Sequence, residues 1–206
     1  MAPLFITFEG VEGCGKSTQS RLLYRRLDKL AIPALLTHEP GGTPLGEKIT
    51  RLLKSAQGIN ISPLSELLLF NASRAQHLEE IIRPASKEGK VVICDRFTDS
   101  TIAYQGYGRG IDLDTVFTVN RIATQGLTPD LTILLDVPVE KGLSRKQGDR
   151  PDRFHSEQLN FHRRVRDVFL KLAEEAPGRW LVIDGTQSKD KIAVIIWEKI
   201  SSLLSK

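Results

Sequence analysis

Eight residues near the start of the chain constrain its fold more than any other segment. Residues 10–17 read Gly-Val-Glu-Gly-Cys-Gly-Lys-Ser and fit the pattern Gly-x4-Gly-Lys-Ser/Thr. They directly follow an apolar run at residues 4–8 and precede leucines at helical spacing, Leu23, Leu27 and Leu30. Strand, glycine-rich turn and helix in this order predict a phosphate-binding loop, because the backbone N–H groups of the turn and the positive end of the helix both attract anions.

Two side chains of this loop suit a nucleoside triphosphate and its metal ion. Lys16 can reach the β- and γ-phosphates, and the Ser17 hydroxyl can ligate Mg²⁺. A glycine turn with a purely structural role is the alternative, and it is disfavoured because strand, turn and helix are all in register with the pattern. The residues expected to contact ATP are Gly10, Val11, Glu12, Gly13, Cys14, Gly15, Lys16, Ser17 and Thr18.

Five short apolar runs alternate with helical segments along the chain. Because the runs are almost continuously apolar, they predict strands that are buried on both faces of a sheet. Segments of helical periodicity lie between them, for example Phe161, Val165, Val168 and Leu172. This order predicts an α/β fold, a doubly wound five-stranded parallel sheet with helices on both faces, in which ligands bind at the carboxyl ends of the strands. The predicted strands span residues 4–8, 34–37, 91–94, 131–135 and 180–183.

Length and composition are those of one ordinary globular domain. The 206 residues are 40% apolar and 26% charged, which excludes collagen-like, disordered and disulfide-scaffold proteins, and residues 1–206 are expected to form a single domain. The 29 Lys and Arg exceed the 25 Asp and Glu by only 4, too few to indicate a nucleic-acid partner. The longest apolar run, residues 192–197, has six residues, against the roughly 20 of a membrane helix.

The cysteines and the N-terminal residues indicate the cellular compartment in which the protein is found. Cys14 and Cys94 are 80 positions apart and lack the close spacing of a zinc site, which favours a reducing environment. Residues 1–8 lack the positively charged and apolar regions of a signal peptide. The sequence therefore predicts a cytoplasmic protein in which both thiols are most simply buried core groups.

Two acidic residues at predicted strand ends are candidate metal ligands. Asp95 follows the apolar run 91–94 and Glu9 follows the run 4–8, so both are expected at the phosphate-binding edge of the sheet. A turn residue is the alternative for Asp95, and a salt bridge to a neighbouring cation is the alternative for Glu9. Ser17, Asp95 and Glu9 together form the predicted Mg²⁺ site.

Ordered motifs along almost the whole chain resemble those of the bacterial thymidylate kinases, a family of nucleoside monophosphate kinases. The motifs are Phe-Glu-Gly at residues 8–10, Glu-Pro-Gly-Gly-Thr at 39–43, Leu-Phe-Asn-Ala-Ser-Arg at 69–74, Asp-Arg-Phe at 95–97, Ser-Thr-Ile-Ala-Tyr-Gln-Gly at 100–106, Pro-Asp-Leu at 129–131 and Asp-Arg-Phe at 152–154. The resemblance implies phosphoryl transfer from ATP-Mg²⁺ to dTMP, giving dTDP and ADP. It also implies a homodimer, with no membrane or nucleic-acid partner.

The resemblance implies roles for individual residues on the monophosphate side. Phe70 would stack on thymine, and Arg74, four residues later on the same helical face, would bond its O4. Thr101, with Ser100, matches positions that bond the base edge near N3, and Tyr104 matches the ring against the deoxyribose. Without the resemblance, core packing is the preferred interpretation of Phe70. The set expected to bind dTMP is Glu9, Phe70, Arg74, Arg96, Ser100, Thr101, Tyr104 and Gln105.

Charged groups are expected to carry the catalysis, because phosphoryl transfer requires alignment and charge balance more than covalent help. Arg96 is the candidate for the dTMP phosphate, since a guanidinium meets phosphate oxygens with two hydrogen bonds. The resemblance implies that Glu9 would receive the sugar 3′-hydroxyl or a metal-bound water. In one branch of the family an arginine for the γ-phosphate lies in the phosphate-binding loop, but residues 11–14 hold no cation here. The resemblance therefore implies that the polar segment at about 145–154, otherwise a solvated connection, is a lid that supplies one. The catalytic candidates are Lys16, Arg96, Arg145, Arg150 and Arg153, with Lys146 also available.

Three features depart from the family pattern. His38 and Thr50 stand where arginines are usual, with Arg51 one position after Thr50, and the lid is about one residue shorter. The alternatives that remain open are a kinase for another deoxynucleoside monophosphate or for a deoxynucleoside, and a P-loop protein that binds nucleotide without catalysis. The Asn-Lys-x-Asp segment of guanine-specific switches does not occur in the sequence.

Overall fold

A computed structural model describes residues 4–54, 60–145, 154 and 157–205. Within them, five parallel strands form one sheet in the order β2-β3-β1-β4-β5. The strands are β1 (Phe5–Glu9), β2 (Ala34–His38), β3 (Val91–Asp95), β4 (Leu131–Asp136) and β5 (Trp180–Asp184). The predicted doubly wound α/β fold is confirmed. Each strand runs one residue past the predicted carboxyl end, because the backbone ladder continues through the Glu, His or Asp that follows the apolar run.

Helices lie on both faces of the sheet. Two π-helical turns interrupt the α-helices, Leu78–Ile82 between α3 and α4 and Ile102–Gly108 directly after α5. Side chains cap helix N-termini, since Asp112 accepts a hydrogen bond from the Thr115 backbone N–H and Ser188 accepts one from that of Lys191. The helices are α1 (Lys16–Lys29), α2 (Pro44–Lys54), α3 (Pro63–His77), α4 (Arg83–Lys87), α5 (Thr98–Thr101), α6 (Leu113–Thr124), α7 (Val139–Ser144), α8 (Leu159–Glu175) and α9 (Lys189–Leu204).

Alternate residues of each strand fill apolar layers on opposite faces. On one face, Ile6 and Ile93 pack with residues of α1 and α9 such as Leu27 and Ile196. On the other face, Val92 packs against the π-helical turn that follows α3, and the described part of α8 covers β4 and β5. Burial on both faces explains why the strand sequences are apolar throughout.

The topology brings the carboxyl ends of β1, β2 and β3 together at one edge of the sheet. Glu9 and Asp95 lie there, as the sequence predicts, and α1 and α5 both begin beside them. Of the segment predicted to form a lid, Arg145 and Phe154 are described, whereas Lys146, Arg150 and Arg153 lie outside the described residues. No helix among the described residues is long and apolar enough to cross a membrane.

Candidate active site

One cleft of about 1030 Å³ runs along this edge of the sheet and reaches both predicted binding regions. Residues 12–18 line one end, and Phe70, Arg74 and Thr101 line the other. Asp95 and Arg96 lie on the cleft wall as well. Because doubly wound folds bind ligands at the carboxyl ends of their strands, this cleft is the candidate active site.

The phosphate-binding loop takes its shape from glycines that have positive φ angles. Gly13 has a φ of 68°, and a Cβ built there would lie 1.9 Å from the carbonyl oxygen of Gly142 in α7. A side chain at this position would therefore strain the backbone and also strike a neighbouring main chain. The loop passes directly into α1, whose first N–H groups lie at the cleft.

The Lys16 ammonium lies over the loop that precedes it. Its Nζ donates to the carbonyl oxygens of Gly10 and Val11 at 3.0 and 2.9 Å and contacts the Cys14 Sγ at 3.4 Å. All three N–H directions of the ammonium therefore point at the loop. Cys14 also lines the cleft, whereas the Cys94 thiol is fully buried among β-strand residues, and that burial raises its pKa.

Two of the three predicted metal ligands are in contact. The Ser17 Oγ donates a hydrogen bond to the Asp95 Oδ2 across the end of the cleft. A hydroxyl and a carboxylate are the hard oxygen donors that Mg²⁺ prefers. Among the described residues there is no cluster of three His, Cys, Asp or Glu side chains that could hold a metal by themselves.

Glu9, the third predicted ligand, lies behind the cleft wall. It is fully buried, and its carboxylate accepts hydrogen bonds from the Phe97 N–H, the Ser100 N–H and the Ser100 hydroxyl at 2.8, 3.2 and 2.6 Å. Burial, and then the nearby Asp99 carboxylate, raise its pKa from 4.5 to about 7, against the opposing effect of Arg96. Glu9 therefore ties β1 to the start of α5.

Arg96 reaches the cleft from a left-handed backbone conformation with φ 72°. Its guanidinium donates to Glu12 Oε1 at 2.7 Å, to Ser100 Oγ at 2.9 Å and to the Tyr104 hydroxyl at 3.4 Å. Such a backbone outlier is most often kept where a side chain must point into a functional site. Sequence reasoning placed Glu12 in the phosphate-binding loop but gave no sign of its pairing with Arg96, which lies 84 positions away.

Three aromatic rings surround the other end of the cleft. Phe70, which is half-buried, has its ring centroid 5.8 Å from that of Phe154, and Tyr104 lies 6.4 Å from Phe154. All three line the cleft, so Phe70 faces the site while one side of it packs on the core. Phe154 belongs to the motif at residues 152–154, but its place among these rings was not predicted from the sequence.

The Arg74 guanidinium is fully bonded within the protein. Its five N–H groups have five acceptors, and the residue is 2% exposed. Thr101, whose Oγ1 accepts one of these bonds at 2.9 Å, lines the cleft beside Arg74. The acceptors are Glu39 Oε2, Asn71 Oδ1, Asn120 Oδ1, the Phe97 carbonyl oxygen and Thr101 Oγ1. The motifs at residues 39–43 and 69–74 contain two of these partners, but nothing in the sequence points to Asn120.

The structure also describes Gln105 and Arg145, and the segment where Thr50 departs from the family pattern. Gln105 lines the cleft and donates to Glu66 at 2.7 Å. Arg145 lies beside the phosphate-binding loop, 3.4 Å from the Gly13 carbonyl oxygen. Thr50 is buried and donates to the Gly46 carbonyl oxygen, whereas Arg51 is exposed about 100° further round the same helix.

The chain is similar to known proteins over most of its length. The family model for thymidylate kinase matches residues 8–196. The thymidylate kinase of Dehalococcoides mccartyi is 56% identical over 201 residues, covering 98% of this chain and 97% of that protein. The thymidylate kinase of Geotalea daltonii is 50% identical over 200 residues, covering 93% and 94%. A crystal structure of thymidylate kinase from Ehrlichia chaffeensis superimposes with a TM-score of 0.74 at 42% identity, covering 89% of this chain and 93% of that one. The chain belongs to the thymidylate kinase family.

Proposed function

We propose that the chain transfers the γ-phosphoryl group of ATP to dTMP and so forms dTDP and ADP. The observation that carries this proposal is the single cleft, which joins the phosphate-binding loop to a pocket edged by Phe70, Arg74 and Thr101. Phosphoryl transfer requires two phosphate groups to be held in line, and one continuous cleft with a cation near each group provides that arrangement. Membership of the thymidylate kinase family supports the same reaction.

The loop end of the cleft is proposed to hold ATP. Phosphate oxygens accept hydrogen bonds more strongly than the neutral carbonyl oxygens that Lys16 now contacts, so the ammonium can exchange those partners for the β- and γ-phosphates. Arg145 lies next to the loop and can approach the same phosphates. Lys146, Arg150 and Arg153 remain the proposed sources of a further lid cation.

Ser17 and Asp95 are the residues proposed to hold Mg²⁺. Their oxygen atoms are already adjacent, and they are of the type this ion prefers. Two protein ligands are enough, because Mg²⁺ at nucleotide sites takes its other ligands from phosphate oxygens and water. When bound there, the ion would balance the negative charge of the β- and γ-phosphates.

The opposite end of the cleft is proposed to bind dTMP. Arg96 would take the phosphate in exchange for Glu12, and Phe70 would stack on the base. The Thr101 hydroxyl would donate to the base carbonyl O4, because its oxygen is held by Arg74, whose own N–H groups are all bonded within the protein. Tyr104 and Gln105 would complete the wall around the deoxyribose and the base, as expected from the sequence. Glu9 would support this wall through Ser100.

A homodimer is also proposed. Leu64 and Leu68 on α3 and Phe117 on α6 are large apolar residues that are about half exposed, and the two helices pack against each other. Large exposed apolar side chains on two neighbouring helices are typical of an interface. Light scattering should give twice the 23.0 kDa mass of one chain, and a monomer at micromolar concentration would contradict the dimer.

A coupled assay of ADP release tests the reaction. We expect turnover with ATP-Mg²⁺ to be fastest with dTMP among dTMP, dUMP, CMP, UMP, AMP and GMP, with thymidine as a further substrate. Preference for a ribonucleotide would contradict the assignment, and preference for thymidine would favour a deoxynucleoside kinase. Binding of ATP without any turnover would favour the non-catalytic alternative.

A further inference from the structure

A row of buried hydrogen bonds leads from β2 to the base-binding end of the cleft. The Thr37 Oγ1 and the His77 Nε2 are 2.6 Å apart, and the His77 Nδ1 lies 3.0 Å from Glu39 Oε1. The other oxygen of Glu39 accepts from the Arg74 Nε at 2.8 Å, and Arg74 donates to Thr101 at 2.9 Å. Thr37, Glu39, Arg74 and Thr101 all line the cleft, whereas His77 lies behind them.

The chemistry of the groups fixes the direction of these bonds. The Glu39 carboxylate can only accept, so the His77 Nδ1 carries the proton that lies between them. In the neutral ring Nε2 is then an acceptor, and the Thr37 hydroxyl donates to it. Each oxygen of Glu39 thus has its own donor, His77 on one side and Arg74 on the other.

Because His77 and its partners are buried, the loss of any of these hydrogen bonds should cost free energy. The side chains of His77, Glu39 and Arg74 are 0, 3 and 2% exposed, so a lost hydrogen bond cannot be replaced by water. A Cβ at Gly42, where φ is 75°, would lie 2.8 Å from the His77 ring. The loop that carries Glu39 therefore packs closely on the ring that orients Glu39.

We propose that His77 is a positioning residue for recognition of the pyrimidine: through Glu39 it fixes the Arg74 guanidinium, which in turn fixes Thr101 at the cleft. Loss of the donor to Glu39 Oε1 leaves that oxygen buried and unpaired, so the carboxylate turns toward another donor and Arg74 loses its fixed orientation. The inference rests on the proposed function, since the ligand whose base it orients is dTMP.

This position of His77 has a consequence for selectivity. A hydroxyl that Arg74 holds at the base edge favours a carbonyl at pyrimidine position 4, to which it can donate, over an amino group, which cannot accept. A misplaced Arg74 should therefore lose affinity for dTMP and also lose discrimination against dCMP. A residue that supports only the stability of the fold has no reason to change that ratio.

Two variants of His77 distinguish the roles of its two ring nitrogens. In His77→Asn the amide nitrogen can take the place of Nδ1 and still donate to Glu39, whereas in His77→Gln the amide group replaces Nε2 and the donor to Glu39 is lost. We expect kcat/KM for dTMP to fall about tenfold or more in His77→Gln and only about threefold in His77→Asn. The KM for ATP should stay within twofold in both, and the dTMP to dCMP ratio should fall mainly in His77→Gln.

The results that would overturn the inference are distinct from those that would overturn the reaction. If the wild-type chain phosphorylates dTMP but the two variants lose the same activity, or lose dTMP and ATP affinity equally, His77 is only structural. If the wild-type chain does not use dTMP at all, the proposed function fails first. Should either variant fail to fold, Thr37→Val removes the hydroxyl that bonds His77 Nε2, and the KM for dTMP should rise about threefold with the KM for ATP unchanged, whereas Thr37→Ser, which keeps the hydroxyl, should leave both unchanged. An unchanged KM for dTMP in Thr37→Val would also contradict the inference.

Discussion

The two ends of the cleft are built in different ways. At the phosphate-binding end, the Lys16 ammonium contacts main-chain carbonyl groups five and six residues away. At the base end, Arg74 is held by side chains and one carbonyl from partners between 3 and 46 positions away, on α3, α5, α6 and the segments that follow β2 and β3. One end depends on the conformation of a short segment, and the other depends on the assembled tertiary structure.

This difference predicts which substrate each substitution should affect. A substitution at the loop end should alter the use of ATP and leave the KM for dTMP nearly unchanged. A substitution at the base end should raise the KM for dTMP and leave ATP binding nearly unchanged. Variants that affect both ends equally would show that the two regions are one cooperative unit.

The largest effect is expected for Lys16→Ala. Removal of the ammonium takes away the charge that balances the transferred phosphoryl group, so kcat should fall roughly 10²- to 10³-fold, as for loss of other charge-stabilising donors. The KM for dTMP should change less than twofold in steady-state assays. Lys29→Ala, at the far end of the same helix, is the matched control and should leave kcat and the KM for dTMP unchanged. A rise in the KM for dTMP as large as the fall in kcat would contradict the prediction that the two ends act independently.

The loop conformation itself is tested by Gly13→Ala. The new Cβ would meet the Gly142 carbonyl oxygen and would also force an unfavourable φ. The two effects together should cost roughly 3 kcal/mol of unfolding free energy. That loss corresponds to a drop in Tm of about 6 to 12 °C, and affinity for an ATP analogue should fall with it. Gly178→Ala, where a Cβ has no atom within 4 Å, should leave Tm within about 2 °C. Equal losses in the two variants would mean that the close contact with α7 has no energetic importance.

The sequence predicts the loop end more fully than the base end, because the loop end depends on local sequence and the base end depends on contacts between distant segments. The five strands and the phosphate-binding loop depend on apolar runs and local spacing, and both could be predicted from the chain. Phe70 and Arg74 could be assigned through a family resemblance, and both line the cleft. The pairing of Arg96 with Glu12 and that of Arg74 with Asn120 depend on which helices meet in the folded chain, and no local pattern encodes either contact.

Glu9, which is fully buried behind the cleft wall, should make the stability of the fold depend on pH. Its folded pKa of about 7 lies above its ordinary value of 4.5, so burial favours the protonated form. The stabilising contribution is therefore fully present below pH 4.5 and is lost as pH rises through 7. Relative to Glu9→Gln, the wild-type chain should lose about 3 kcal/mol of unfolding free energy across this window. Urea unfolding in EDTA at intervals from pH 5 to 8 measures the difference, and a constant difference would show that Glu9 is ionised throughout.

The smallest effect among these predictions is expected for Phe70→Ala. Loss of one stacking surface should raise the KM for dTMP by about 5- to 100-fold, equivalent to about 1 to 3 kcal/mol. The KM for ATP should be unchanged, because Phe70 lies at the opposite end of the cleft from the loop. Val194→Ala is the control, since that side chain is 49% exposed on α9 and does not line the cleft. An unchanged KM for dTMP in Phe70→Ala, together with a lower Tm, would assign the ring to the apolar core, and the base end would then depend on Arg74 and Thr101 alone among these groups.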